Sequence, residues 1–325
     1  MSKTVLVVGG AGYIGAHTCM LLAERGYRPV AFDNLSNGHS EFVKWGPLET
    51  GDIRDRKRLD EVFARHNPDA VLHFAALIEV GESVKDPLAF YDNNVVGTLA
   101  LLAAAMAAGV EAFVFSSTCA TYGLPDRVPM DESHKQAPIN PYGRTKLVVE
   151  QALHDYSTYR GLRSVMLRYF NAAGADPEGR IGEWHTPETH AIPLAIEAAL
   201  GRRASFKIFG SDYDTRDGTC VRDYIHVLDL ADAHVRAVDY LLDGGKTVAL
   251  NLGTGTGTTV KELIETIASV SGRKFPVELA GRRAGDSTSL VADNKKANEV
   301  LGWQPVRDLE SIVRSAWDWH SKTNH

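Results

Sequence analysis

The chain has 325 residues, enough for a large core in two domains or in one domain with a substantial appendage, and its 44% hydrophobic and 23% charged content is that of an ordinary globular protein. A net charge of -6, with no basic stripe interleaved with aromatics, argues against a nucleic-acid partner; it leaves room for an anionic ligand held by a few placed arginines. No run of roughly 18 apolar residues suggests a membrane span, the first strand reads from residue 4 with no room for a signal peptide, and a cytoplasmic location is expected.

Thr4-Val5-Leu6-Val7-Val8 is a short, β-branched apolar run suited to a buried parallel strand. It leads into Gly9-Gly10-Ala11-Gly12-Tyr13-Ile14-Gly15, and residues 16–25 read as a helix closed by Gly26. Glycines at 9, 12 and 15 permit a tight turn, close approach of a pyrophosphate to backbone N–H groups, and close packing of helix on strand. The next strand, 29–32, ends at Asp33, whose carboxylate can accept from both hydroxyls of an adenosine ribose and would repel a 2′-phosphate. A dinucleotide site that prefers NAD to NADP is expected.

Residues 35–46 read as a loop, 48–51 as a short strand leading to Asp52-Ile53, 54–66 as a helix, and 70–76 as a buried strand and turn. A long alanine- and leucine-rich helix is predicted over 91–108, ending at Gly109, and a strand over 112–116 that runs into Ser117-Thr118-Cys119. In Pro141-Tyr142-Gly143-Arg144-Thr145-Lys146, a helix continuing through 147–159 stacks phenol and ammonium on one face. A nearby ammonium lowers a tyrosine pKa, so Tyr142 is a candidate general base near neutral pH. With a further strand at 164–169, the β-α-β alternation gives an α/β fold, a doubly wound parallel sheet of at least six strands, whose ligands sit at the carboxyl ends.

Beyond Asn171, loops at 172–189, 210–218 and 281–289 separate helices at 192–200, 228–242 and 260–271. The expected division is a Rossmann domain at 1–173, with a probable return segment near 221–252, and a smaller carboxyl-terminal substrate-binding domain at 174–325. Cys19, Cys119 and Cys220 match no Cys-x-x-Cys pattern and read as small core hydrophobes. In His185-Thr186-Pro187-Glu188-Thr189-His190, two histidines and a carboxylate could hold a metal, but Pro187 disfavours a helix that would align them; the segment is read as a solvated loop, and no metal is expected.

Together the pieces resemble the extended short-chain dehydrogenase/reductase family, and within it the nucleotide-sugar 4-epimerases of the UDP-galactose 4-epimerase type. The resemblance rests on the Gly9 to Gly15 run, Asp33-Asn34-Leu35, Gly51-Asp52-Ile53, His73-Phe74-Ala75-Ala76, Val80-Gly81-Glu82-Ser83 and Tyr91-Asp92-Asn93-Asn94. Further along it rests on Phe115-Ser116-Ser117-Thr118, Pro141-Tyr142-Gly143, Leu167-Arg168-Tyr169-Phe170-Asn171, the Val221 to Val227 run and Arg282-Arg283-Ala284-Gly285-Asp286. It implies Tyr142, Lys146 and Thr118 as catalytic residues, Thr118 standing at a position that is serine in relatives. For NAD it implies Gly9, Gly12, Tyr13, Ile14, Gly15, Asp33, Asn34, Asp52, Ile53, Phe74, Ala75, Asn94, Tyr142, Lys146 and Tyr169. Ile78 stands where many relatives have a lysine near the cofactor phosphates.

For a UDP-sugar it implies Thr118, Asn171, Phe209, Arg222, Arg283, Asp286 and Leu290, the arginines offering donor forks to a pyrophosphate. The implied activity is interconversion of UDP-galactose and UDP-glucose through a 4-keto sugar with tightly held NAD, in a homodimer formed by the 91–108 and 142–159 helices. UDP-N-acetylhexosamine, UDP-pentose or UDP-hexuronate remain alternative substrates. A 4,6-dehydratase would carry an Asp-Glu pair after the active-site threonine, where this chain has Cys119-Ala120. A redox-sensing binding module would need none of Thr118, Tyr142 and Lys146.

Overall fold

In the computed structural model, which describes residues 2–283 and 286–323, six runs become strands in chain order: β1 (Thr4–Val8), β2 (Arg28–Asp33), β3 (Leu48–Thr50), β4 (Ala70–His73), β5 (Ala112–Thr118) and β6 (Arg163–Tyr169). Ala284 and Gly285, part of one family-like motif, lie outside the described residues. The six strands pair in the order β3-β2-β1-β4-β5-β6, every pair parallel, and Val248–Leu252 adds a seventh parallel strand beside β6. Their apolar runs are continuous because both faces are covered. Alternate residues feed two cores: Val5, Val7, Leu72, Val114 and Leu167 pack under the Val227–Leu242 helix, while Leu6, Val8, Phe32, Phe113 and Phe115 pack against Leu59, Leu101, Leu102, Val149 and Leu153. Each fully buried side chain of this kind contributes about 1.5–3 kcal/mol.

After β6 the chain makes β7 (Asn171–Ala173), β8 (Phe206–Phe209), β9 (Val221–Arg222), β10 (Tyr224–His226), β11 (the seventh sheet strand), β12 (Thr258–Thr259), β13 (Val277–Ala280) and β14 (Ser289–Leu290). Except for β11 they form three small sheets, β10-β7, β12-β9-β14 and β13-β8. A third core joins the helices Ala191–Ala199, Val260–Ser271 and Leu309–Lys322 around Ile196, Leu263 and Val313. Thr259 and Glu262 start the Val260–Ser271 helix with a reciprocal capping box.

The single helix predicted over 91–108 is interrupted. Pro87–Phe90 is helical, Tyr91–Val96 is a π-helical turn, and Gly97–Ala107 resumes the α-helix. Two tertiary demands coincide there. Asn94 turns its amide inward to take the Leu77 N–H at 2.8 Å and donate to the Leu77 carbonyl at 3.0 Å, and a Cβ on Gly97 would lie 2.6 Å from the Ile53 side chain. Among the described residues this Pro87–Ala107 stretch alone is long and apolar enough to cross a membrane, yet Leu101, Leu102, Ala104 and Ala105 lie fully inside the protein core. The cysteines carry no disulfide; Cys19 and Cys220 are buried and Cys119 is half-buried.

Candidate active site

The fingerprint glycines divide their tasks. Gly9 turns the chain at φ +84°, and a Cβ there would sit 2.6 Å from the Ala75 nitrogen; a Cβ on Gly15 would run into the Gly9 carbonyl. Gly12 differs: no protein atom lies closer than 3.4 Å to its missing Cβ, so the space belongs to the cleft. Gly12 is also the N-cap of the Tyr13–Glu24 helix and offers no side-chain partner to its first N–H groups. Open donors at the positive end of a helix, with room for close approach, fit a pyrophosphate.

The cleft holds about 320 Å³ and runs from Asp33, Asn34 and Ile53 past Phe74 and Ala75 to Thr118, Tyr142 and Asn171. Asp33 accepts from the N–H of Ala11 at 3.0 Å and of Leu35 at 2.9 Å, one oxygen each, keeping lone pairs for a diol. Burial pushes its carboxyl above the usual range, and these N–H groups pull it back. Tyr13 and Ile14 border the same cleft, Tyr13 with its hydroxyl donating to the Gly174 carbonyl at 2.5 Å. Three expected cofactor residues, Asp52, Asn94 and Lys146, lie behind the residues that line the cleft. Asp52 is held by Arg54, Nε to Oδ1 at 2.8 Å and Nη2 to Oδ2 at 2.7 Å, and accepts from the Asn34 amide; Asn94 clamps Leu77 and donates to Thr145 Oγ1 at 3.2 Å.

At the reactive end, Thr118 closes β5 and Tyr142 stands in the first turn of the Pro141–Arg160 helix, which Asn140 caps by accepting from the Gly143 N–H at 2.8 Å. The Lys146 ammonium is 6.0 Å from the Tyr142 ring centre, 4.8 Å from that of Phe115, and donates to the Ser116 carbonyl at 2.9 Å. The electrostatics differ from the expectation. Burial pushes the Tyr142 phenol well above its ordinary value, with Tyr169 adding to the rise and a hydrogen bond with Thr118 opposing it. Burial also pulls Lys146 down to about 7 against the pull of Glu150. Burial thus disfavours the charged form of both groups.

Beneath this pair lies a buried network that the sequence reading missed. Arg168 donates to Glu150 through Nε at 3.0 Å and Nη2 at 2.5 Å, and through Nη1 to the Tyr122 hydroxyl at 2.9 Å; that hydroxyl donates to Asn251 Oδ1 at 2.7 Å. Ser117 and Gln136 also donate to Glu150, at 2.5 and 2.8 Å. Ser116 meets the Tyr169 hydroxyl at 2.8 Å. The available signal was spacing: Glu150 follows Lys146 by four residues and so shares its helix face.

The expected nucleotide-sugar residues fall in two places. Asn171 lies in the cleft with its amide donating to the Asp223 carbonyl at 3.0 Å. Thr118 lines the same cleft, and Phe209, Arg222, Arg283, Asp286 and Leu290 gather beyond it, where β14 runs beside β9 with Leu290 opposite Arg222. Arg222 donates to the carbonyls of Val221 and Ser287 at 2.8 and 2.9 Å and reaches Asp286 at 3.3 Å, and the Arg283 guanidinium stacks 3.6 Å from the Phe209 ring centre. Residues 185–190 form the expected loop, with Thr186, Pro187 and Thr189 exposed, but its histidines and Glu188 turn inward. Trp184 stacks on His39, Glu183 is buried, and Glu183, His185, Glu188 and His190 converge at the cleft wall.

A doubly wound parallel sheet with this fingerprint and a hydroxyl, phenol and ammonium at its carboxyl edge defines a short-chain dehydrogenase/reductase. A family model described as GDP-mannose 4,6 dehydratase matches residues 6–316. The chain is 76% identical to the UDP-glucose 4-epimerase of Rhizobium meliloti (strain 1021), over 99% of this chain and 98% of that protein, and 50% identical to that of Halalkalibacterium halodurans, over 99% and 96%. The solved UDP-glucose 4-epimerase of Brucella ovis in complex with NAD superposes with a TM-score of 0.96 at 53% identity, covering 98% of each chain. The chain belongs to the UDP-glucose 4-epimerase family of the extended short-chain dehydrogenase/reductases.

Proposed function

We propose that this chain is an NAD-dependent UDP-glucose 4-epimerase that interconverts UDP-galactose and UDP-glucose through a 4-keto sugar. The observation that carries the reading is one continuous cleft with Asp33 at one end and the adjoining hydroxyls of Thr118 and Tyr142 at the other. NAD, for which the open Gly12 cradle and Asp33 are suited, supplies a reversible hydride acceptor when bound. Thr118 orients the C4 oxygen by hydrogen bonding. Tyr142 takes the C4 hydroxyl proton and later returns it, and Lys146 stabilises the phenolate during that interval. Both hydroxyl-bearing residues are buried, which keeps water from the oxidised sugar.

Asn171, Arg222, Arg283, Asp286 and Phe209 are assigned to the UDP part, leaving the hexose free to turn and present its other face, with Leu290 limiting its size. The residues of 1–173 with the β11 return form the dinucleotide part, and those of 174–325 form most of the sugar-nucleotide part. The solved Campylobacter jejuni neighbour is named a UDP-Glc/GlcNAc 4-epimerase, and the Stenotrophomonas maltophila one holds formylated UDP-arabinopyranose, which keeps N-acetylhexosamine and pentose nucleotides as second substrates to test. Cys119-Ala120 after Thr118 supply no acid and base for dehydration. A cytoplasmic homodimer is the assigned setting.

The test is incubation of the protein with UDP-galactose, UDP-N-acetylgalactosamine, UDP-arabinopyranose and UDP-galacturonate separately, products being identified by NMR. UDP-glucose from UDP-galactose is expected, and a 4-keto-6-deoxy product or no turnover contradicts the reading. Tyr142→Phe is expected to lower turnover by about 10²–10⁴-fold, the range of a general acid–base group, while UDP binding measured by calorimetry persists.

A further inference from the structure

We propose that Glu183, His185, Glu188 and His190 form a binding site for one divalent transition-metal ion of the zinc class in the wall of the cleft. Their four ligand atoms lie within 4.8 Å of one another. His190 Nδ1 is 2.8 Å from Glu188 Oε1 and 3.1 Å from Glu183 Oε1, and His185 Nδ1 is 3.4 Å from Glu183 Oε1 and 3.6 Å from Glu188 Oε2. A tetrahedral zinc ion with bonds of about 2.0–2.2 Å sets its donors roughly 3.3–3.5 Å apart; the separations of both imidazoles from Glu183 Oε1 and of His185 from Glu188 Oε2 lie near that spacing, while Glu188 Oε1 is hydrogen-bonded to His190.

His185 faces Glu183 and Glu188 as an ion-paired imidazole whose contacts are long for hydrogen bonds. Its Nδ1 is buried and makes no hydrogen bond. Two imidazoles turned by the same ring atom toward two facing carboxylates make the donor set of a borderline cation. The surroundings fix that set. One Glu188 oxygen accepts the N–H groups of Thr189 and His190, each at 2.7 Å; the Glu183 carbonyl accepts from Trp319 Nε1 at 2.9 Å; and Trp184 stacks on His39 with ring centres 3.8 Å apart. Ligand atoms held in this way lose little freedom on binding. Glu183, His185 and His190 border the same cleft as Gly12 and Tyr13, so an ion here would tie the loop to the fingerprint side of the cleft.

Protein made without a polyhistidine tag and stripped with a chelator is titrated with Zn2+ by calorimetry, and bound metal is counted by mass spectrometry. One equivalent is expected, with His185→Asn and Glu183→Gln each weakening binding by at least about 100-fold, the upper end of what loss of an outer-shell partner alone does. The exposed His154→Asn should bind as the parent does. Melting without zinc establishes that each variant is folded, and added Zn2+ should raise the melting temperature of the parent and of His154→Asn only. Co2+ gives a second readout, with intense tetrahedral visible absorption expected. No saturation by millimolar Zn2+, or equal binding by the parent and both cluster variants, overturns the proposal.

Discussion

Lys146 is held in a place that disfavours its charge. Burial lowers its pKa to about 7, and a lysine whose folded value lies below its unfolded value near 10.4 costs stability wherever the unfolded chain binds the extra proton. That cost is fully present below about pH 7 and fades as pH rises toward the unfolded value. Lys146→Met is therefore expected to raise the melting temperature of the cofactor-free protein most at pH 6 and least near pH 10, while turnover falls; thermal melts across that range check it. A gain that grows with pH would contradict this sign. The Tyr142 and Lys146 pair was legible from spacing four on one helix. Its electrostatics were not, because desolvation depends on Phe115, Tyr169 and Ser116 arriving from other strands.

At the scale of elements, the Pro141–Arg160 helix is bolted to β5 and β6 through the buried Glu150 and Arg168 pair. Removing one partner strands a charge: Arg168→Met is expected to cost about 3–5 kcal/mol, read by urea denaturation, and adding Glu150→Gln should recover part of that loss. A single-variant cost below 1 kcal/mol would show that the pair does not anchor the helix. The central strands were legible because continuous apolar runs bounded by glycine have few other uses. The π-helical turn at Tyr91–Val96 was not, since its causes are Leu77 and Ile53, distant in sequence. The loop at 185–190 was legible from Pro187, but the inward turn of its histidines was not, because it depends on Trp184 stacked on His39 and on Trp319 bonded to the Glu183 carbonyl.

For the whole molecule, one run of chain, 80–99, carries six exposed large apolar residues. Val80, Val84, Leu88, Tyr91, Val96 and Leu99 all point outward, Leu88 being 78% exposed and Val84 62%. Such a run beside the Pro141–Arg160 helix suits the proposed two-fold contact. Val84→Asp with Leu88→Asp is expected to convert a dimer to a monomer in light scattering at unchanged melting cooperativity; a wild-type monomer would refute that assignment. A doubly wound parallel sheet of at least six strands was readable from the β-α-β alternation; its seventh strand, β11, was foreseen only as a probable return segment, and the strand order comes from the structure. The pairings of the short strands β8, β9, β12, β13 and β14 were not readable, because two- to four-residue strands carry no period and find partners far away in sequence.

The central claim is that hydrogen leaves C4 as hydride and comes back to the same carbon without exchanging with water. Incubating the protein with UDP-galactose in D2O and reading the UDP-glucose formed by NMR and mass spectrometry tests it directly. Protium at C4 with no deuterium gained at any carbon is the predicted result; deuterium at C4, or at C3 or C5, would mean that the bond to carbon is broken as a proton and would contradict the account.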